Sequence, residues 1–134
     1  MSCKSLLYAI TPTNVTVISG ATVPLSQIAR RISPRLDIGS DSVMAYLPGY
    51  YKVHGTLTCT AEAAGNVTIQ VHKNGVAVPG AVSSATIATP TTQVVTLPFD
   101  AVIRVLPEET AIITLVNEGV DITVSNLALT VESV

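Results

Sequence analysis

The sequence is poor in charge. Only 12% of the 134 residues are Asp, Glu, Lys or Arg, where ordinary soluble domains carry about 25%. It is also 48% hydrophobic, with mean hydropathy +0.53. A single domain of this size exposes roughly 6,700 Å², and seven cations with nine carboxylates cover that area thinly. A membrane, a sticky monomer and a surface covered by other subunits would each explain this. No apolar run approaches the 18 residues of a transmembrane helix, which removes the first. The third is the reading taken, because large apolar patches mark interaction sites.

Other shortages narrow the function. There is no Trp, one Phe and four Tyr, and the net charge is −2. Nucleic-acid binding calls for a basic stripe and stacking aromatics, so no nucleic-acid partner is expected. Two cysteines, Cys3 and Cys59, make no disulfide framework; both are expected as free thiols of a protein made in a reducing cytoplasm. The start, MSCKSLLYAITP, has one Lys and a brief apolar patch, short of a signal-peptide core, so export by the general secretory route is not expected. Helical periodicity is nearly absent. Its one candidate is Leu25–Ile32 (LSQIARRI), which Pro24 and Pro34 hold to about two turns.

What is present is alternation. In Tyr51–Ala61 the odd positions Val53, Gly55, Leu57, Cys59 and Ala61 are apolar or small. The even positions Lys52, His54, Thr56, Thr58 and Thr60 are polar, the period of a strand with one face on a core. After Glu62–Asn66 the pattern resumes at Val67, Ile69 and Val71. Lys73-Asn74-Gly75 then makes a turn whose Asn and Gly accept positive φ. Taken alone, the two segments read as a hairpin.

Further strands are expected at Ser5–Ile10, Val15–Ile18 and Ser42–Leu47. Val76–Val82 surrounds Pro79-Gly80, a turn signal. Gln93–Leu97 runs into Pro98 and Ala101–Val105 into Pro107, as if prolines marked strand ends. Ala111–Val116 (AIITLV) suits a strand buried on both faces. Val120, Ile122 and Val124 change phase to Leu127, Leu129 and Val131, implying a bulge or a corner at Ser125-Asn126. About eight to ten strands near ten-residue intervals predict one all-β sandwich over residues 1–134, with the first twelve residues as an N-terminal arm.

Several of these segments together resemble one group. They are Gly49-Tyr50-Tyr51-Lys52-Val53, Asn74-Gly75-Val76 with Val78-Pro79-Gly80, and Asn126-Leu127-Ala128-Leu129-Thr130-Val131, supported by Gly20–Leu25 and Ser42–Leu47. The group is the tumour-necrosis-factor-like and complement-head-like jelly rolls. Within it the chain is most similar to the C-terminal domains of collagen-like spore-coat glycoproteins and to phage head-fibre and decoration knobs. The resemblance implies a two-sheet antiparallel jelly roll that assembles as a threefold homotrimer. It also implies that Tyr51–Ala61 and Val67–His72 cross between sheets. Tyr51, Val53, Leu57 and Cys59 would then face the core, and Lys52, His54, Thr56 and Thr58 the partner subunit or the threefold axis. The chain shows no Gly-X-Y stalk, which suits a phage virion part better than a spore coat.

No catalytic or cofactor pattern stands out. His54 and His72 lack any metal-binding spacing, and an ordinary strand histidine is the simpler reading. Glu108-Glu109 diverge on successive positions, Asp37 and Asp41 flank Gly39 as turn formers, and no G-x-S-x-G elbow exists. Arg30, Arg31 and Arg35 form the densest cation cluster, either a docking patch for an acidic neighbour or a solvated loop face. Asn14-Val15-Thr16 and Asn66-Val67-Thr68 match the glycosylation sequon and, with export not expected, are read as chance matches. The expectation is therefore a non-enzymatic structural protein on a virion surface, docked to another virion or surface protein, without cofactor, metal or membrane. A receptor- or glycan-binding tip and a bacterial or spore-surface coat domain are the alternatives.

Overall fold

The computed structural model describes residues 5–11, 14–25, 27–32, 36–39 and 41–134. Eleven strands occur among them: β1 (Leu6–Thr11), β2 (Val15–Val17), β3 (Gln27–Ile32), β4 (Leu36–Ile38), β5 (Val43–Ala45), β6 (Gly49–Ala61), β7 (Gly65–Lys73), β8 (Val76–Ile87), β9 (Val95–Val105), β10 (Ala111–Asn117) and β11 (Ile122–Ser133). They form two antiparallel sheets. The front sheet runs β3-β1-β11-β6-β9 with β2 also on β11, and the back sheet runs β4-β5-β10-β7-β8. This is the two-sheet jelly-roll sandwich the sequence implied. β6 and β7 lie in different sheets, so the crossing holds and the local hairpin reading does not.

The core lies between the sheets and is built from alternate residues. Tyr51, Val53, Leu57, Cys59 and Ala61 of β6 are buried, facing Val67, Ile69 and Val71 of β7 and Ala111, Ile113 and Leu115 of β10. Phe99 and Tyr51 are its large aromatics, and the Tyr51 hydroxyl donates to the Leu47 carbonyl at 2.8 Å. The β7–β8 hairpin closes through Asn74 (φ 51°) and Gly75 (φ 80°), the two positive φ values of a type I′ turn. The phase change in β11 is a bulge: its register against β6 shifts between Val124 and Asn126.

Several local expectations give way to tertiary context. Gln27–Ile32 is an edge strand on β1, because pairing satisfies its backbone where two helical turns would not cover the cost of nucleation. β8 runs on through Pro79-Gly80, which form a wide bulge at the register shift between Gln70 and His72. β9 likewise continues through Pro98. Both are edge strands, where a missing N–H is tolerated. β10 is covered on one face only, and Ile112 is exposed. Leu6–Thr11 form the strand expected at Ser5–Ile10, within the N-terminal twelve residues; they pair with both β11 and β3 and bury Leu7 and Ala9. Among the described residues no helix is long and apolar enough to cross a membrane.

Candidate assembly face

The even positions of β6 point away from the core, and their cross-strand partners complete a face. Lys52 pairs with Glu132 of β11 and Val102 of β9; His54 pairs with Thr130 and Asp100; Thr56 pairs with Ala128 and Pro98; Thr58 pairs with Asn126 and Thr96. Paired residues share a sheet face. The four positions singled out from the sequence are therefore brought together on the front. Registers on the other flank extend three of these rows. Ile32 and Leu6 continue the Glu132 row, Arg30 and Tyr8 the Thr130 row, and Gln27 and Ile10 the Ala128 row.

Polarity across this face is uneven. Its centre holds Lys52, His54 and Glu132, with His54 Nε2 3.2 Å from Glu132 Oε1. Both side chains are 38% exposed, so such a pair stabilises the fold by no more than about 1 kcal/mol. The Thr58 and Thr96 hydroxyls meet at 3.2 Å. Each flank carries apolar residues around a charge: Leu6, Ile10 and Ile32 beside Arg30 on one side, Pro98 and Val102 beside Asp100 on the other, with Ile32 57% and Val102 61% exposed. Farther along β6, the Arg104 guanidinium lies 5.8 Å from the Tyr50 ring centre.

The other candidates do not converge. Arg30 and Arg31 point to opposite faces of β3, as adjacent strand residues must. Arg31 reaches across the sandwich edge to Asp37 of β4 at 3.3 Å, and Arg35 lies outside the described residues. Arg30 and Arg31 thus do not share a face. Asp41 accepts the Thr22 hydroxyl at 2.9 Å, which separates it in role from Asp37. His72 lies on the outer face of the back sheet, its Nε2 3.6 Å from Glu118 Oε1, so the two histidines share no site. Among the described residues no group of three or more His, Cys, Asp or Glu could hold a metal ion.

Among the described residues, two groups have displaced protonation equilibria, both for structural reasons. Glu109 accepts the Leu106 N–H at 2.9 Å and the Lys73 ammonium at 3.0 Å. First that backbone hydrogen bond and then Lys73 hold its carboxyl below the usual value. Lys73 also donates to the Arg104 carbonyl at 2.6 Å, so the trio clips β7 of the back sheet to β9 of the front. Cys59 is fully buried, and burial pushes its thiol up to about 11. Cys3 lies outside the described residues. Sequence reading missed Asp100, Val102 and the Arg30–Tyr8 pair. The alternation of β9 was visible, with Leu97, Phe99, Ala101, Ile103 and Val105 inside, but Pro98 was read as its end.

No family model and no curated protein matches this sequence. Solved structures do match its shape. The Eiger TNF of S. frugiperda superposes with a TM-score of 0.76 at 11% identity, covering 98% of this chain and 92% of that one. Murine APRIL superposes with a TM-score of 0.73 at 11% identity over 98% and 99% of the two chains. The globular domain of the zebrafish complement 1qA protein gives 0.70 at 8% identity over 96% and 94%. At these identities the likeness shows the fold, a TNF- and complement-head-like jelly roll, and no more.

Proposed function

We propose that this chain is a non-enzymatic structural protein that acts by self-assembly into a homotrimer and by docking on a larger particle. The particle we favour is a bacteriophage virion, with the trimer as a head-decoration or head-fibre knob displayed on its surface. The observation that carries the assembly reading is the pattern on the front face, where exposed apolar residues stand on both flanks (Leu6, Ile10 and Ile32 against Pro98 and Val102) and the centre between them is polar. A monomer gains nothing from two separate greasy flanks on one sheet. A ring that packs one flank against the other removes both from water, at roughly 25 cal/mol per Å² of apolar area, offset by the entropy of association. Closure after three copies follows the fold class and leaves no flank free to grow a filament. Scarcity of charge supports the same reading: 6633 Å² of surface carries sixteen charged side chains. The placement on a phage particle rests on the sequence resemblance to head-fibre and decoration knobs.

Light scattering on the purified chain, paired with co-purification from virions, tests both parts. The expected mass is three times 13.9 kDa. A monomer at high concentration overturns the assembly reading. Absence of the protein from purified particles overturns its placement on the virion. Selective binding on a glycan array would reassign it as a receptor-binding tip.

A further inference from the structure

We propose that copies of this chain pack head to tail in a fixed register, with Asp100 of one copy paired to Arg30 of the next. The inference rests on the assembly reading above and adds the contact that sets its register. Rotation about an axis parallel to the strands leaves every residue at its own height. The two ends of one cross-strand row are therefore what meet between neighbouring copies.

Those ends are complementary row by row. One row runs Arg30, Tyr8, Thr130, His54, Asp100, with a cation at one end and a carboxylate at the other. In the adjacent row Ile32 and Leu6 stand at one end and Val102 at the other, apolar to apolar. On the opposite side, Gln27 and Ile10 answer Pro98. Both charges are available. Neither Arg30 nor Asp100 makes an ion pair among the described residues, and His54, which lies beside Asp100, turns its Nε2 to Glu132. Successive outward rows lie about 6.8 Å apart. A slip of one row would set Asp100 against Leu6 and Ile32, covering a charge without a partner, or against Gln27 and Ile10, exchanging the ion pair for a neutral amide donor. A twofold pairing of like edges would set Arg30 against Arg30 and Asp100 against Asp100. Stacking whole front faces would take Lys52, His54 and Glu132 out of water together. Head-to-tail packing avoids all three costs.

Charge reversal tests the contact. Wild type, Arg30→Asp, Asp100→Arg and the double reversal are compared by light scattering across a dilution series at low salt. Thermal unfolding confirms the fold of each, since both positions are exposed in the single chain. Each single reversal should raise the concentration at which the trimer dissociates by at least about tenfold, and the double reversal should restore it. Val102→Asp, which sets a carboxylate against Leu6 and Ile32, should weaken the trimer as well. A wild-type trimer whose single reversals associate as tightly as the parent overturns this register and leaves the assembly reading standing. A monomeric wild type overturns both.

Discussion

Replacing Asn117 with alanine probes the one fully buried polar side chain at the end of β10. Asn117 is 0% exposed. Its Nδ2 donates to the Val17 carbonyl at 3.1 Å and the Val120 carbonyl at 2.9 Å, and its Oδ1 accepts the Gly119 N–H at 3.0 Å. Its backbone meanwhile pairs with Gly20 and Ala21. One side chain thus fastens the end of β2, the 118–120 turn and β10 together. Alanine removes three hydrogen bonds worth about 0.5–1.5 kcal/mol each and leaves the buried Val17 carbonyl without a partner. The expected loss is about 3 kcal/mol. At 134 residues that lowers Tm by roughly 10 °C, and it lowers the urea midpoint without changing m. The assay is urea unfolding followed by far-UV circular dichroism at one fixed protein concentration, because oligomerisation makes stability concentration-dependent. Asn117→Asp should be worse than alanine at neutral pH, since a carboxylate would face two carbonyl oxygens in a dry site, and should recover part of the loss in acid. A loss below about 0.5 kcal/mol for Asn117→Ala, well under even one such bond in a buried site, would refute the reasoning.

Three further outcomes follow from the packing of β6. A Cβ at Gly55 would run into the Ala128 carbonyl oxygen and lie 3.0 Å from the Leu129 Cα, so Gly55→Ala should cost about 2 kcal/mol or more by forcing β6 and β11 apart; wild-type stability in the same urea assay would contradict the register. Cys59 has a folded-state pKa near 11 against an ordinary value of 9.0. The unfolded chain therefore loses this proton first. Its contribution is fully present below pH 9 and fades up to about pH 11, by roughly 2–3 kcal/mol in total. The check is the difference in alkaline stability between wild type and Cys59→Ala, and parallel curves would exclude the effect. In a Cys3→Ser background, native protein should also show no thiol reactive to Ellman's reagent until it unfolds.

Much of the fold is legible in local pattern. Alternation from Tyr51 to Ala61 sorts buried from outward residues correctly, Asn74-Gly75 makes the turn its residue types demand, and the slip at Ser125-Asn126 is a bulge. The errors share a cause. Pro79-Gly80 was read as a turn and Pro98 as a strand end because a proline cannot donate to a ladder, yet β8 and β9 are edge strands with one side free of a ladder. Gln27–Ile32 carries a short helix-like pattern, and only the open edge of β1 makes it a strand. Ala111–Val116 is apolar but for Thr114, although its Ile112 faces outward beside Met44.

The candidate face divides the same way. Lys52, His54, Thr56 and Thr58 were identifiable as one outward stripe because side-chain direction along a strand is a property of the backbone, repeating every two residues wherever the chain goes. Their neighbours were not identifiable. That Asp100 ends the row begun by Arg30, some seventy residues earlier in the chain, depends on which strands lie side by side. Lateral order is decided by how the two sheets close over Leu57, Phe99, Leu115 and Leu127, a balance of burial and pairing among segments remote in sequence. The sequence alone determined which side of each strand meets water; only the tertiary structure decided which outward residues stand together.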